Sequence, residues 1–182
     1  MKASLLLFAI LLSSIVLADN RVEFDNPDAS QWMIVNDSVM GGRSDSNIVI
    51  DQGIAQFTGT VSLENYGGFA SARLRLDDTN TQTNRLRIRL KGDGSRYKVR
   101  ARTSNNWGGP AYSFDFDTTG EWQELVVFPD DLKLMFRGRV FKRFTEVNFS
   151  EVSQLGFMIA DKQTGDFKLL IDWIKFDNID SK

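Results

Sequence analysis

Apolar and polar residues alternate with period two along most of the chain beyond residue 45. In Arg85-Leu86-Arg87-Ile88-Arg89-Leu90 the apolar positions alternate strictly with arginines. Tyr97-Lys98-Val99-Arg100-Ala101-Arg102 repeats the pattern. Ala70, Ala72, Leu74 and Leu76 alternate with Ser71, Arg73 and Arg75, and Tyr112, Phe114 and Phe116 with Ser113, Asp115 and Asp117. Leu155, Phe157 and Ile159 do the same, and the run from Phe167 to Phe176 is almost wholly apolar. Each pattern predicts a strand with one buried face. Turn residues separate them: Gly92-Asp93-Gly94 reads as a hairpin turn between the two arginine-bearing strands, and Lys162-Gln163-Thr164-Gly165 joins the last two. No stretch sustains a 3.6-residue stripe. Short strands at this spacing predict an all-β fold, a β-sandwich or jelly roll, as one domain over 19–182.

The N-terminus follows a different rule. Lys2 precedes an apolar run from Leu5 to Val16, and Ala18 stands before acidic sequence at Asp19. This pattern predicts a secretory signal peptide over residues 1–18 and an exported, periplasmic or secreted, mature chain. The run is shorter than the roughly 20 apolar residues of a spanning helix. The alternative is an uncleaved anchor; no later stretch is apolar enough to span a membrane.

Composition then narrows the chemistry. The 182 residues include 22 Lys+Arg and 24 Asp+Glu; removing residues 1–18 takes Lys2 and leaves a net charge of −3, a balance that does not point to nucleic acid. With no Cys there is no disulfide, so the fold rests on its core, for which 14 Phe and 4 Trp supply bulk. With no His there is no Ser-His-Asp triad, no Cys-His pair and no imidazole metal ligand. What remains is binding, or carboxylate chemistry of the glycosidase kind, which needs two facing acids about 5–10 Å apart. Asp77-Asp78, Asp130-Asp131 and Asp161 are loop carboxylates without an EF-hand spacing, so no metal or cofactor is assigned.

Two glycine-rich stretches break the alternation: Trp32-Met33-Ile34-Val35-Asn36-Asp37-Ser38-Val39-Met40-Gly41-Gly42-Arg43-Ser44, and Phe57 through Asn65-Tyr66-Gly67-Gly68-Phe69 to Arg73. Neither has the spacing of a phosphate loop. Together with Leu86-Arg87-Ile88-Arg89-Leu90-Lys91-Gly92-Asp93-Gly94, Thr119-Gly120-Glu121-Trp122, Arg137-Gly138-Arg139 and the segment from Leu155 to Phe167, they succeed one another in the order seen in complex I intermediate-associated protein 30, and the chain resembles that family. The resemblance implies a galactose-binding-domain-like sandwich without catalytic residues. It also implies a chaperone-like role in assembling the NADH dehydrogenase complex, by holding unfolded or partly assembled membrane-arm intermediates of respiratory complex I. With its leader, the chain reads as an exported, bacterial member.

Candidate binding residues follow from the same segments. The two glycine-rich stretches are expected to meet at one end of the sandwich. There Gly41, Gly42, Gly67 and Gly68 would allow close packing, and Asp37, Ser44, Asn65 and Arg73 would ring an apolar floor of Met40 and Phe69. The competing account ties Arg73 internally to Asp37. If Gly92-Asp93-Gly94 is a hairpin, Arg85, Arg87 and Arg89 share a face with Lys98, Arg100 and Arg102, which either docks an acidic partner or is neutralised by Asp115, Asp117 and Glu124. Trp107, in a loop rich in Asn and Gly, is an anchor for a protein or sugar ligand or a plug on the core; Trp122 and Trp173 are expected in the core. A protein-binding module is the primary reading, a carbohydrate-binding module of the cell envelope the alternative.

Overall fold

The computed structural model describes residues 21–26, 28–76, 83–104, 106, 108–143 and 145–178; the leader, Asp77-Asp78 and Trp107 lie outside them. Among the described residues thirteen strands form two antiparallel sheets. The first sheet contains β1 (Arg21–Glu23), β3 (Asp45–Asp51), β4 (Ile54–Val61), β6 (Arg85–Lys91), β9 (Gln123–Val127) and β13 (Gly165–Asp177). Its order is β3-β4-β13-β6-β9, with β1 beside the second half of β13. The second sheet runs β11-β10-β8-β7-β12-β5-β2. Its members are β2 (Trp32–Ile34), β5 (Ala70–Arg75), β7 (Arg96–Arg102), β8 (Ala111–Asp117), β10 (Lys133–Phe136), β11 (Arg139–Val140) and β12 (Gln154–Ile159). This is the all-β sandwich that the alternation predicts.

The inward residues of both sheets are those the period-two pattern picks out. Leu86, Ile88 and Leu90 meet Val99, Ala101, Leu155 and Phe157 in one core. Aromatic rings cross the interlayer: Phe57 packs edge-on against Phe167 with centroids 4.8 Å apart, and Tyr97 lies between Phe167 and Phe116 at 6.4 and 6.1 Å. Trp32 bridges Phe24 and Phe157. Edge-to-face and offset pairs of this kind add to the area term of burial.

The structure differs from the sequence reading in two places. Gly92-Asp93-Gly94 is not a hairpin: β6 and β7 belong to different sheets, and the segment crosses between them. Asp93 fixes the crossing, because its carboxylate accepts hydrogen bonds from Ser95 N, the Tyr97 hydroxyl and Lys168 N in β13. The six cations therefore face opposite sides of the molecule. Trp122 and Trp173 are also not core residues. A bulge between Ile171 and Trp173 turns Asp172 and Trp173 both outward while Ile171 and Ile174 stay buried. Trp173 lies under the guanidinium groups of Arg21 and Arg87, and Trp122 under Arg89.

Candidate binding site

The glycine-rich stretches do meet at one end of the sandwich, and a buried carboxylate joins them. A 3-10 turn at Asp37–Met40 ends at Gly41, whose φ of 90° favours glycine. From this turn Asp37, fully buried, accepts hydrogen bonds from Ser44 N at 2.9 Å, Ser44 Oγ at 2.5 Å, Gly68 N at 2.6 Å and Phe69 N at 3.2 Å. A Cβ on Gly67 would sit 2.5 Å from Asp37 Oδ2, and one on Gly42 would run into the same group. These glycines are set by close approach to the carboxylate. Burial alone would raise the Asp37 carboxyl. The bonds from Ser44, Gly68 and Phe69 outweigh it and hold the group below the ordinary carboxylate value. Asn36 repeats the device beside it, accepting from Ser46 Oγ and Ser71 N.

Asp37 and Ser44 are thus internal ties and present nothing to solvent. Asp37 is bonded to Ser44 and the 68–69 backbone in place of Arg73. Met40 is no floor either: it is 70% exposed, and Val39, Leu63 and Tyr66 are exposed around it. Asn65 Nδ2 donates to Gly41 O at 3.2 Å and Arg43 pairs with Glu64 at 3.1 Å, so both loops form one tip. Asn65 and Tyr66 both take left-handed φ, which leaves Tyr66 standing clear of the surface. Phe69 is half-buried beneath.

Arg73 and Arg100 lie away from this tip, on the outer face of the seven-stranded sheet. Register places Met33, Arg73, Gly156, Arg100, Ser113 and Lys133 in one row across β2, β5, β12, β7, β8 and β10. Arg75, Gln154 and Arg102 form the next. Although outward by register, Arg102 is only 3% exposed, Ser113 4% and Gln154 0%. Their polar atoms lack partners: Arg102 Nε and Nη1, both side-chain polar atoms of Gln154, and Ser113 Oγ. A buried polar group without a partner costs about 1–3 kcal/mol. Burial first, then the charges of Arg73 and Arg100, push the Arg102 guanidinium down to about 9. Arg100 is lowered by burial and then by Arg73, and its hydrogen bond is a long one of 3.5 Å to Met158 Sδ. Lys98, on the next row, is neutralised by Asp115 at 3.0 Å and Asp161 at 2.7 Å.

On the opposite outer face the three arginines of β6 each meet a carboxylate. Arg85 meets Asp177 at 2.6 Å, Arg87 meets Glu124 at 2.5 Å and Asp177 at 3.3 Å, and Arg89 meets Asp172. The hydrogen bond that Arg87 donates to Glu124, ahead of the opposing burial effect, holds its guanidinium above the ordinary value.

Comparison with known proteins settles the kinship. The sequence matches the family of complex I intermediate-associated protein 30 over residues 22–171. The chain belongs to this family. Its sandwich is similar to the family 11 carbohydrate-binding module from Clostridium thermocellum in complex with a β-1,3-1,4-mixed-linked tetrasaccharide, with a TM-score of 0.63 and 14% identity over 91% of this chain and 100% of that one. The same module from a cellulosomal cellulase of that organism gives 0.61 and 13%, covering 91% and 96%. An agarase gives 0.54 and 10% over 87% of this chain and 25% of that one. At these identities the likeness describes the fold, which is galactose-binding-domain-like.

Within this complex I intermediate-associated protein 30 domain, the sequence reading located the tip but missed Gln154, Ser113 and the special status of Arg102. Gln154 precedes the Leu155-Gly156-Phe157 segment as an unremarked polar residue, and only the register of β12 against β7 sets it opposite Arg102. The one available signal was Gly156, which puts a residue without a side chain between two arginines in register.

Proposed function

We propose that this domain is a non-catalytic binding module that holds a protein partner at the tip built from residues 37–44 and 62–69. The observation that carries this reading is the display of Val39, Met40, Leu63 and Tyr66 on two loops fixed by the buried Asp37 carboxylate. Apolar side chains held outward on a rigid support form a recognition surface, and an aromatic at its centre is a typical energetic anchor. The partner is a protein with an apolar segment of its own. The family's name points to an intermediate of respiratory complex I, held in a chaperone-like manner. The apolar N-terminal stretch supports an encounter outside the cytoplasm, at the envelope.

The test is recovery of partners by the tagged mature protein from envelope extract after crosslinking, read by mass spectrometry. Complex I subunits are expected with the native tip. They are expected to vanish when Val39, Met40 and Tyr66 are all replaced by Ser, with the melting temperature unchanged. Equal recovery by both proteins overturns the reading. The second reading, a carbohydrate-binding module, is supported by the polar groups left unpaired beside Arg102.

A further inference from the structure

We propose that the outer face of the seven-stranded sheet binds an acidic saccharide, a sugar carrying a carboxylate as well as hydroxyls, seated across Arg102, Arg100, Gln154 and Ser113. The proposal rests on the carbohydrate reading and adds charge selectivity to it. Nε and Nη1 of Arg102 have no partner, and the hydrogen bond of Arg100 goes to a thioether and not to a carboxylate. The unpartnered Nε–H and Nη1–H of Arg102 lie on different edges of the guanidinium, and each is a charged donor for one ligand oxygen. Charge is only half of the requirement. Gln154 leaves Oε1 as well as Nε2 unpartnered, and an amide oxygen needs a donor. A simple anion offers none, whereas a sugar hydroxyl does; Ser113 Oγ can serve such a hydroxyl in either sense.

Shape agrees with this ligand. Gly156 sits between Arg73 and Arg100 in register, so no β12 side chain rises at the middle of the row, where the Arg73 stem lies alongside. Along the same row a cavity of about 300 Å³ opens beside Ser113, lined by Lys133, Met135 and Val140. That volume is at the lower end for small-ligand sites. Asp115 and Asp131 also border it; Asp115 is engaged by Lys98, and Asp131 accepts from Phe128 N. The carbohydrate site is separate from the tip, which lies at one end of the sandwich.

Calorimetric titration of the purified protein with a galacturonate oligomer, the neutral galactose oligomer of equal length, and polyaspartate tests the idea. The acidic sugar is expected to bind at least tenfold tighter than either control. Arg102→Gln should erase the preference for acid, and Gln154→Leu should weaken both sugars. Should Arg102→Gln fail to fold by circular dichroism, Arg100→Gln takes its place with the same expectation. The triple Ser variant at the tip should keep its affinity for the acidic sugar. Equal binding of acidic and neutral sugars overturns charge selectivity while sparing the carbohydrate reading. Absence of binding by either sugar overturns both, and polyaspartate binding as tightly as the acidic sugar overturns the saccharide assignment.

Discussion

Asp37 and Arg102 carry opposite charges, are both nearly inaccessible, and stand on the same side of the burial problem with opposite outcomes. Around Asp37 the chain supplies four donors from three residues, two of them backbone amides more than 30 residues away. Around Arg102 it supplies other arginines and a glutamine that makes no hydrogen bond to it. A buried ion whose partners lie within the fold is architecture: removing it breaks the fold. A buried ion whose partners are absent lowers stability, and its natural explanation is a partner from outside. The arginines of the six-stranded sheet make the same point, since Arg85, Arg87 and Arg89 share residue type and spacing with Arg100 and Arg102 yet are fully matched.

The contrast can be broken most directly at Asp37. Asp37→Ala leaves four donors unsatisfied, and at about 1 kcal/mol each the loss is about 4 kcal/mol, measured by urea denaturation. A loss below about 1 kcal/mol would mean that water replaces the carboxylate and that the tie is dispensable. Arg102→Leu should move stability the other way, by about 1–3 kcal/mol, because it exchanges an unpaired buried charge for apolar volume. Destabilisation by that variant would reveal an internal partner and dissolve the comparison.

Acid should separate the two sites next. The Asp37 carboxyl titrates below its unfolded value, so its contribution is complete above about pH 4 and disappears as pH falls further. Melting temperatures between pH 2.5 and 6 should therefore fall more gently for Asp37→Asn than for the native protein, and matching slopes would exclude the assignment. The smallest effect belongs to the matched face. Arg87→Leu should cost about 0.5–1 kcal/mol, and less in 1 M salt, since its partners are partly exposed. A salt-independent loss would point to stacking on Trp173 as the larger contribution.

The strands and their buried faces were legible because alternation is a local signal with a single physical cause. The tip was legible through Gly41, Gly42, Gly67 and Gly68, which are unusual enough to mark a close approach. Three things were not. Gly92-Asp93-Gly94 has the local chemistry of a hairpin, and what makes it a crossing is a bond to Lys168, 75 residues on. Met40 and Phe69 look alike as apolar residues in sequence, yet the left-handed ends of their loops point one outward and fold the other back. Gln154 becomes notable only through register, which pairs it with Arg102 and then leaves both without partners.

The bulge at Asp172 and Trp173 has a consequence for how this sequence can change in length. Elsewhere along β13, losing one codon would turn every residue beyond it to the wrong face, exposing Ile174 and Phe176 or their counterparts. At Asp172 the count already runs one residue over. A chain lacking Asp172 regains strict alternation from Ile171 through Trp173 to Ile174, keeps the buried set buried, and forfeits only the partner of Arg89. This position can therefore lose a residue with little loss, and single-residue deletions scanned along β13 should survive at Asp172 where those at Lys168 or Leu170 do not.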